Sequence, residues 1–197
     1  MTCIVGIVKG NKVIIGADKL GVFSDSYQKI NLADKKIFKR GEFIFGVCGS
    51  PRMAQLIQYK LDIPPLSEKQ DVTNYMVSNF VENVRTTFKN GGFAEIEKNV
   101  ESGGTFMVGF RGRLFVVYGD FQICESTEPY TSIGCGQRFA LGAMKTAIDS
   151  GETEPMLILR KGLESAHYFS AGVGGEFDFV ETEEEKTDDL WMLKPVQ

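Results

Sequence analysis

The sequence predicts an α+β fold in which two antiparallel sheets pack face to face and helices cover their outer sides. Three observations lead there. The chain opens on paired β-branched runs joined by two-residue turn signals, changes to helical periodicity after residue 51, and returns to strands before two further helical stretches and a last strand. A chain of 197 residues, 43% hydrophobic and 24% charged, suits one domain with a core thick enough for such a stack. No internal repeat is evident.

The elements follow in order. Residues 2–9 (TCIVGIVK) and 12–18 (KVIIGAD) form a predicted hairpin, because Gly10-Asn11 between them tolerates positive φ. Residues 36–40 and 43–49 repeat the design around Gly41-Glu42. From Pro51 the period changes. Met53, Leu56, Ile57 and Leu61 fall on one helical face until Pro64-Pro65 ends the segment. Residues 67–70 (SEKQ) resemble a capping box, and Val72, Met76, Phe80, Val84 and Phe88 then recur every four residues up to Gly91-Gly92, which predicts the longest helix. Strands are predicted at 105–110, 113–119, 121–124 and 130–134, helices at 137–149 and 155–168, and a final strand at 176–181. The domain is expected to span residues 1–181. Residues 182–197 form a tail that begins acidic and ends with Leu190, Trp191, Met192 and Leu193, an apolar group suited to docking on its own domain or a neighbour.

Composition removes several functions. A net charge of −4, with Lys and Arg scattered among acids, provides no basic stripe for a phosphate backbone, so no nucleic-acid partner is expected. No apolar run approaches the roughly 20 residues that span a bilayer, and the start lacks a basic segment followed by an apolar signal core. A soluble, cytoplasmic protein without a membrane partner is the expectation. No GxGxxG or P-loop sequence appears, which disfavours a nucleotide-binding α/β fold. The four cysteines, Cys3, Cys48, Cys124 and Cys135, lack CxxC spacing and read as reduced, core-filling thiols.

A set of motifs narrows the field. The first strand begins Thr2-Cys3-Ile4-Val5 and the second ends Gly16-Ala17-Asp18. Lys36 lies directly before the apolar start of the next strand, and Gly46-Val47-Cys48-Gly49-Ser50 opens a helix. Ile133-Gly134-Cys135-Gly136 feeds a helix containing Ala140-Leu141, and Ala171-Gly172-Val173-Gly174-Gly175 precedes the last strand. In order and spacing these resemble the proteasome β-subunit and its bacterial relative, the HslV peptidase, both N-terminal nucleophile hydrolases. The likeness runs from about residue 2 to about residue 181. It implies a four-layer α/β/β/α sandwich, a peptide or protein substrate, assembly into a homo-oligomeric ring, and no metal or other cofactor.

The resemblance also implies a mechanism. A threonine hydroxyl is a weak nucleophile unless a base takes its proton; here the base is the residue's own α-amine, which exists only once the preceding residue has left. Thr2 is then the nucleophile and Met1 the residue to be removed. A free α-amine titrates near pH 8, close to what a base at neutral pH requires. The Lys36 ammonium lowers the pKa of the Thr2 pair, the Asp18 carboxylate holds the lysine, and the Gly49 N–H receives the oxyanion. Lys35 stays open as the lysine in question. Lys19, Leu20 and Gly21 are expected at the substrate entrance.

Departures from the family pattern fall on supporting positions. Cys135 stands where active relatives carry Ser, and Ser170 and Val173 replace the Asp and Ser that support the amine. A thiol donates weakly and Val173 cannot donate at all. The alternative reading is therefore a catalytically silent member of the same fold with an assembly or binding role. Taken singly, Thr2 reads as a strand residue, Asp18 as a turn cap and Lys36 as a surface lysine. Cys3 invites comparison with amidotransferases of the superfamily that expose an N-terminal cysteine, but two residues would have to leave first. His167, the only histidine, sits near a helix end without a serine or cysteine motif partner.

Overall fold

The computed structural model describes residues 1–23, 26, 28–31 and 33–182. The apolar end of the tail around Trp191 lies outside the described residues. The strands are β1 (Cys3–Lys9), β2 (Lys12–Asp18), β3 (Leu20–Val22), β4 (Lys29–Asn31), β5 (Ile37–Arg40), β6 (Phe43–Val47), β7 (Glu95–Glu97), β8 (Val100–Ser102), β9 (Phe106–Phe110), β10 (Arg113–Val117), β11 (Ile123–Glu125), β12 (Tyr130–Gly134) and β13 (Phe177–Glu181). The helices are α1 (Pro51–Tyr59), α2 (Val72–Tyr75), α3 (Val81–Asn90), α4 (Gln137–Asp149) and α5 (Pro155–Phe169).

Among the described residues two sheets form the body, one ordered β12-β1-β2-β13 and the other β11-β10-β9-β6-β5, with antiparallel pairing throughout. Three apolar layers explain the stack. Ile4, Ile15, Ile44, Met107 and Leu114 fill the space between the sheets. Val5, Met144, Leu159 and Leu163 join the first sheet to α4 and α5, while Phe45, Leu56, Phe80, Phe88 and Phe106 join the second to the middle helices. Ile4 and Val5 thus face different cores from adjacent positions, as the two-residue strand period requires. Sheets buried on both faces account for continuous apolar runs in place of polar alternation. This is the predicted four-layer arrangement.

Close sheet approach needs a small residue at one crossing. A Cβ at Gly46 would lie 2.6 Å from Ile4 Cγ2 and 3.0 Å from Ile15 Cγ2.

The structure revises several local expectations. The four-residue repeat from Val72 to Phe88 is longer than the about 3.6 residues of an α-helical turn, so an apolar stripe of that period drifts around a regular helix. A π-helical segment at Met76–Phe80, between α2 and α3, absorbs the drift and keeps Met76, Phe80, Val84 and Phe88 buried. Ser67 does not cap this rod; its carbonyl accepts from Gln70 N–H, and Asp71 is the N-cap, accepting from Asn74 N–H at 2.9 Å. Phe121 lies in a turn at φ +66°, its ring in the core, and β11 begins only at Ile123. The short hairpins β3-β4 and β7-β8 were not predicted. Thr182, assigned to the tail, is buried against β2, where its hydroxyl accepts from Val13 N–H at 3.0 Å.

Candidate active site

Strand register brings the predicted residues to one end of the sandwich. Cys3 pairs with Gly134, Ile4 with Ala17, and Asp18 with Phe177. The start of β1, the end of β2, the β12–α4 turn and the α5–β13 turn therefore meet.

Asp18 is the centre of this end. Its side chain is 0% exposed, and its carboxylate accepts at Oδ1 from Lys36 Nζ (2.8 Å) and Cys3 N–H (2.9 Å), and at Oδ2 from Gly174 N–H (3.1 Å) and Leu20 N–H (3.3 Å). Four donors on one carboxylate are what a buried charge requires. Lys36, its side chain 8% exposed, also donates to Leu20 O at 2.7 Å. Of the two neighbouring lysines, Lys36 points at Asp18, while Lys35 is exposed on the adjoining cleft wall.

Thr2 precedes the strand residue whose N–H meets Asp18. It is 5% exposed. Its N–H donates to Cys135 Sγ at 3.3 Å, the Cys135 thiol donates to Thr2 O at 3.4 Å, and Ser170 Oγ stands 3.7 Å from that sulfur. Cys135 thus lies against the backbone of Thr2, and it is exposed, not core-filling as expected. Thr2 Oγ1 donates to the Met1 carbonyl at 2.6 Å. With Met1 attached the Thr2 nitrogen is an amide and cannot serve as a base. Val173 turns into the helix-side core and offers no donor. The Cys3 thiol is fully buried in the helix-side core, with its pKa pushed up to about 12, chiefly by burial, and it does not line the cleft that Thr2 lines, which speaks against the N-terminal cysteine alternative.

Gly49, at φ +97°, lies between β6 and α1 one residue before the N-cap Ser50, and the positive φ is a conformation that favours glycine. Thr2, Lys36 and Gly49 line one cleft of about 330 Å³. Its other wall carries Gly21, Val22, Phe23, Ile30, Ala54 and Gln58, among others. Of the three residues expected at the entrance, Gly21 alone lies there. Lys19 is drawn to the β13 side by Glu176 (2.9 Å) and Asp178 (3.2 Å), and Leu20 is buried with its backbone committed to Asp18, Gly174 and Lys36. The helical wall was missed in the sequence. Its signal was the pair Ala54 and Gln58, one turn apart on α1 beside the core residues Met53 and Ile57.

Among the described residues no group of three or more His, Cys, Asp or Glu is placed to hold a metal ion, and no helix is long and apolar enough to cross a membrane.

No family model matches the chain. It is 28% identical over 166 residues to the ATP-dependent protease subunit HslV of Caldicellulosiruptor saccharolyticus, covering 84% of this chain and 89% of that protein. Among solved structures it is similar to Thiobacillus denitrificans BPH in complex with epoxomicin, with TM-score 0.73, 20% identity, and coverage of 92% of this chain and 98% of that one. HslV from Trypanosoma brucei superposes with TM-score 0.71 at 17% identity, covering 93% and 100%. The fold is that of the N-terminal nucleophile hydrolases of the proteasome β-subunit and HslV type.

Proposed function

We propose that the chain is a threonine peptidase that acts through Thr2 once Met1 has been removed, as a cytoplasmic, ring-forming homo-oligomer on peptide or protein substrates. The observation that carries this reading is the buried Lys36–Asp18 pair, whose carboxylate also takes the N–H of the residue after Thr2, beside a cleft shared by Thr2, Lys36 and Gly49. The kinship to an ATP-dependent protease subunit supports the reaction class.

The steps follow from these groups. The freed α-amine of Thr2 takes the hydroxyl proton as Oγ1 attacks the scissile carbonyl, and the Lys36 ammonium favours the deprotonated forms of this pair by charge. The oxyanion accepts from the Gly49 N–H. On collapse the C–N bond breaks, the leaving amine takes the proton from the α-ammonium, and an ester to Thr2 remains; water, deprotonated by the same amine, then releases the acid. The cleft walls Val22, Phe23, Ile30, Val47 and Ala54 fit an apolar substrate side chain beside the scissile bond.

A specific observation favours a second reading: Thr2 Oγ1 is committed to the Met1 carbonyl, and Val173 offers no support to an amine. On that reading the fold serves assembly without cleavage. Intact-mass analysis of protein from its native host, before and after treatment with epoxomicin, separates the two. Loss of one methionine with adduct formation at Thr2 is the expected result. Full-length protein that forms no adduct refutes the peptidase.

A further inference from the structure

The turn at residues 170–175 meets the site at Cys135, Met1, Asp18 and Leu20. Ser170 Oγ meets Cys135 Sγ, Gly172 leaves no room for a Cβ beside the Met1 side chain, Gly174 N–H donates to Asp18 Oδ2, and Gly174 O accepts from Leu20 N–H at 3.0 Å. Such a turn must be held still if Asp18 and Lys36 are to keep their geometry. The Val173 side chain anchors it in the helix-side core. It is also met by a side chain that no step of the mechanism uses. His167, in the last turn of α5, has Nδ1 3.0 Å from the Val173 carbonyl. A carbonyl only accepts, so Nδ1 carries the proton and donates. The ring lies close to the turn, since a Cβ at Gly174 would stand 3.2 Å from Nδ1, and it makes an edge contact with Phe177, centroids 6.4 Å apart.

We propose that His167 is a positioning residue: its Nδ1–H clamps the Val173 carbonyl, and through the Gly174 amide fixes the carboxylate that holds Lys36 beside Thr2. It touches neither substrate nor nucleophile. The inference rests on the peptidase reading for its kinetic consequence, but the clamp itself does not.

Three variants of the full chain test it. His167→Ala removes the donor. His167→Asn puts an amide N–H where Nδ1 stands, whereas His167→Gln carries its amide one atom too far. Epoxomicin labelling is resolved into a maximal rate and a half-saturating concentration, and exchange of the Gly174 amide is followed by NMR. Losing one net hydrogen bond at the clamp predicts a five- to tenfold fall in maximal rate, on the order of one such bond, with half-saturation within about twofold of wild type. Gly174 exchange should accelerate in the Ala and Gln variants, and Asn should restore both readouts. Wild-type labelling and exchange in His167→Ala, or an Asn variant as impaired as Gln, overturns the proposal. Should His167→Ala fail to fold, the Asn and Gln pair decides alone. If wild type proves inert to epoxomicin, the peptidase reading has failed and the clamp is judged on Gly174 exchange, where unchanged rates across the variants overturn it.

Discussion

Replacing Lys36 with methionine probes the pair on which the site is built. The ammonium sits 2.8 Å from Asp18 Oδ1 and 2.7 Å from Leu20 O, with side-chain exposures of 8% and 0% for Lys36 and Asp18. Removing one partner of a buried pair costs about 3–5 kcal/mol, because the remaining charge is stranded away from water. Here three backbone N–H groups, from Cys3, Leu20 and Gly174, still point at the carboxylate after the substitution. The lower end, about 3 kcal/mol, is therefore expected. With a urea dependence of about 2 kcal/mol per molar, the unfolding midpoint should fall by about 1.5 M. Lys36→Arg keeps a charge and two donors for the same two acceptors, so it should recover more than half of the loss. Epoxomicin labelling at Thr2 should behave differently. A wider, planar guanidinium cannot reproduce the position of a compact ammonium, and both variants should label about 100-fold more slowly than wild type. A midpoint within about 0.3 M of wild type for Lys36→Met refutes the buried-pair energetics. Labelling at the wild-type rate refutes the role of the ammonium, whatever the stability.

Two further outcomes follow from packing and burial. Gly46→Ala inserts a methyl 2.6 Å from Ile4 Cγ2 between two sheets that cannot part; a loss of about 1–3 kcal/mol is expected, lowering the melting temperature by about 2–4 °C per kcal/mol, and an unchanged melting temperature contradicts the close approach. Thiol alkylation followed by mass spectrometry at pH 8 should mark exposed Cys135 first and Cys3 and Cys48 last: burial holds those two thiols at about 12 and about 11, so at pH 8 only about one in ten thousand and one in a thousand is thiolate, and the Cys48 rate should climb as pH rises towards 11. Cys3 reacting as fast as Cys135 contradicts the burial.

Periodicity carried the long elements because each buries a face, and burial writes the period into the sequence. β1 and β2 were legible from Ile4, Val5, Ile7, Val13, Ile14 and Ile15, which fill two different cores. The three-residue strands β3, β4, β7 and β8 were not, since three residues show no period, whereas the equally short β11 was read as part of a longer run from Phe121; Glu95–Glu97 is exposed along its whole length. The repeat from Val72 to Phe88 contained the π segment as a mismatch between four and 3.6, a signal that was present but read as a plain helix. The site was partly legible. Asp18 and Lys36 follow from local motifs, yet the preference for Lys36 over Lys35 depends on which side chain can reach a carboxylate 18 positions earlier, and only the packed chain decides that. Lys19 was misplaced for a similar reason. Its ion pairs to Glu176 and Asp178 join strands far apart in sequence, and no neighbouring residue announces them.

The contacts of Thr2 explain how one peptide bond separates two chemical states without rebuilding the site. While Met1 is attached, the hydroxyl is satisfied by the Met1 carbonyl at 2.6 Å and the nitrogen by Cys135 Sγ at 3.3 Å. Hydrolysis of that bond removes the hydroxyl's acceptor and, at the same place in the chain, turns an amide into an amine with a lone pair. The hydroxyl then needs a new acceptor, and its own amine is the nearest group of the right kind. The contacts of Cys3 N–H with Asp18 and of Cys135 with the backbone of Thr2 do not involve Met1, so both are expected to survive its removal. Removal of Met1 should therefore change the chemistry of one nitrogen and, apart from the Met1 side-chain packing on Gly172, keep the contacts around it, so a variant that keeps Met1 should fold with a stability within about 1 kcal/mol of the processed chain and fail to form an epoxomicin adduct. A processed chain that differs from it by more than about 1 kcal/mol in unfolding free energy shows that Met1 is part of the fold and contradicts this separation.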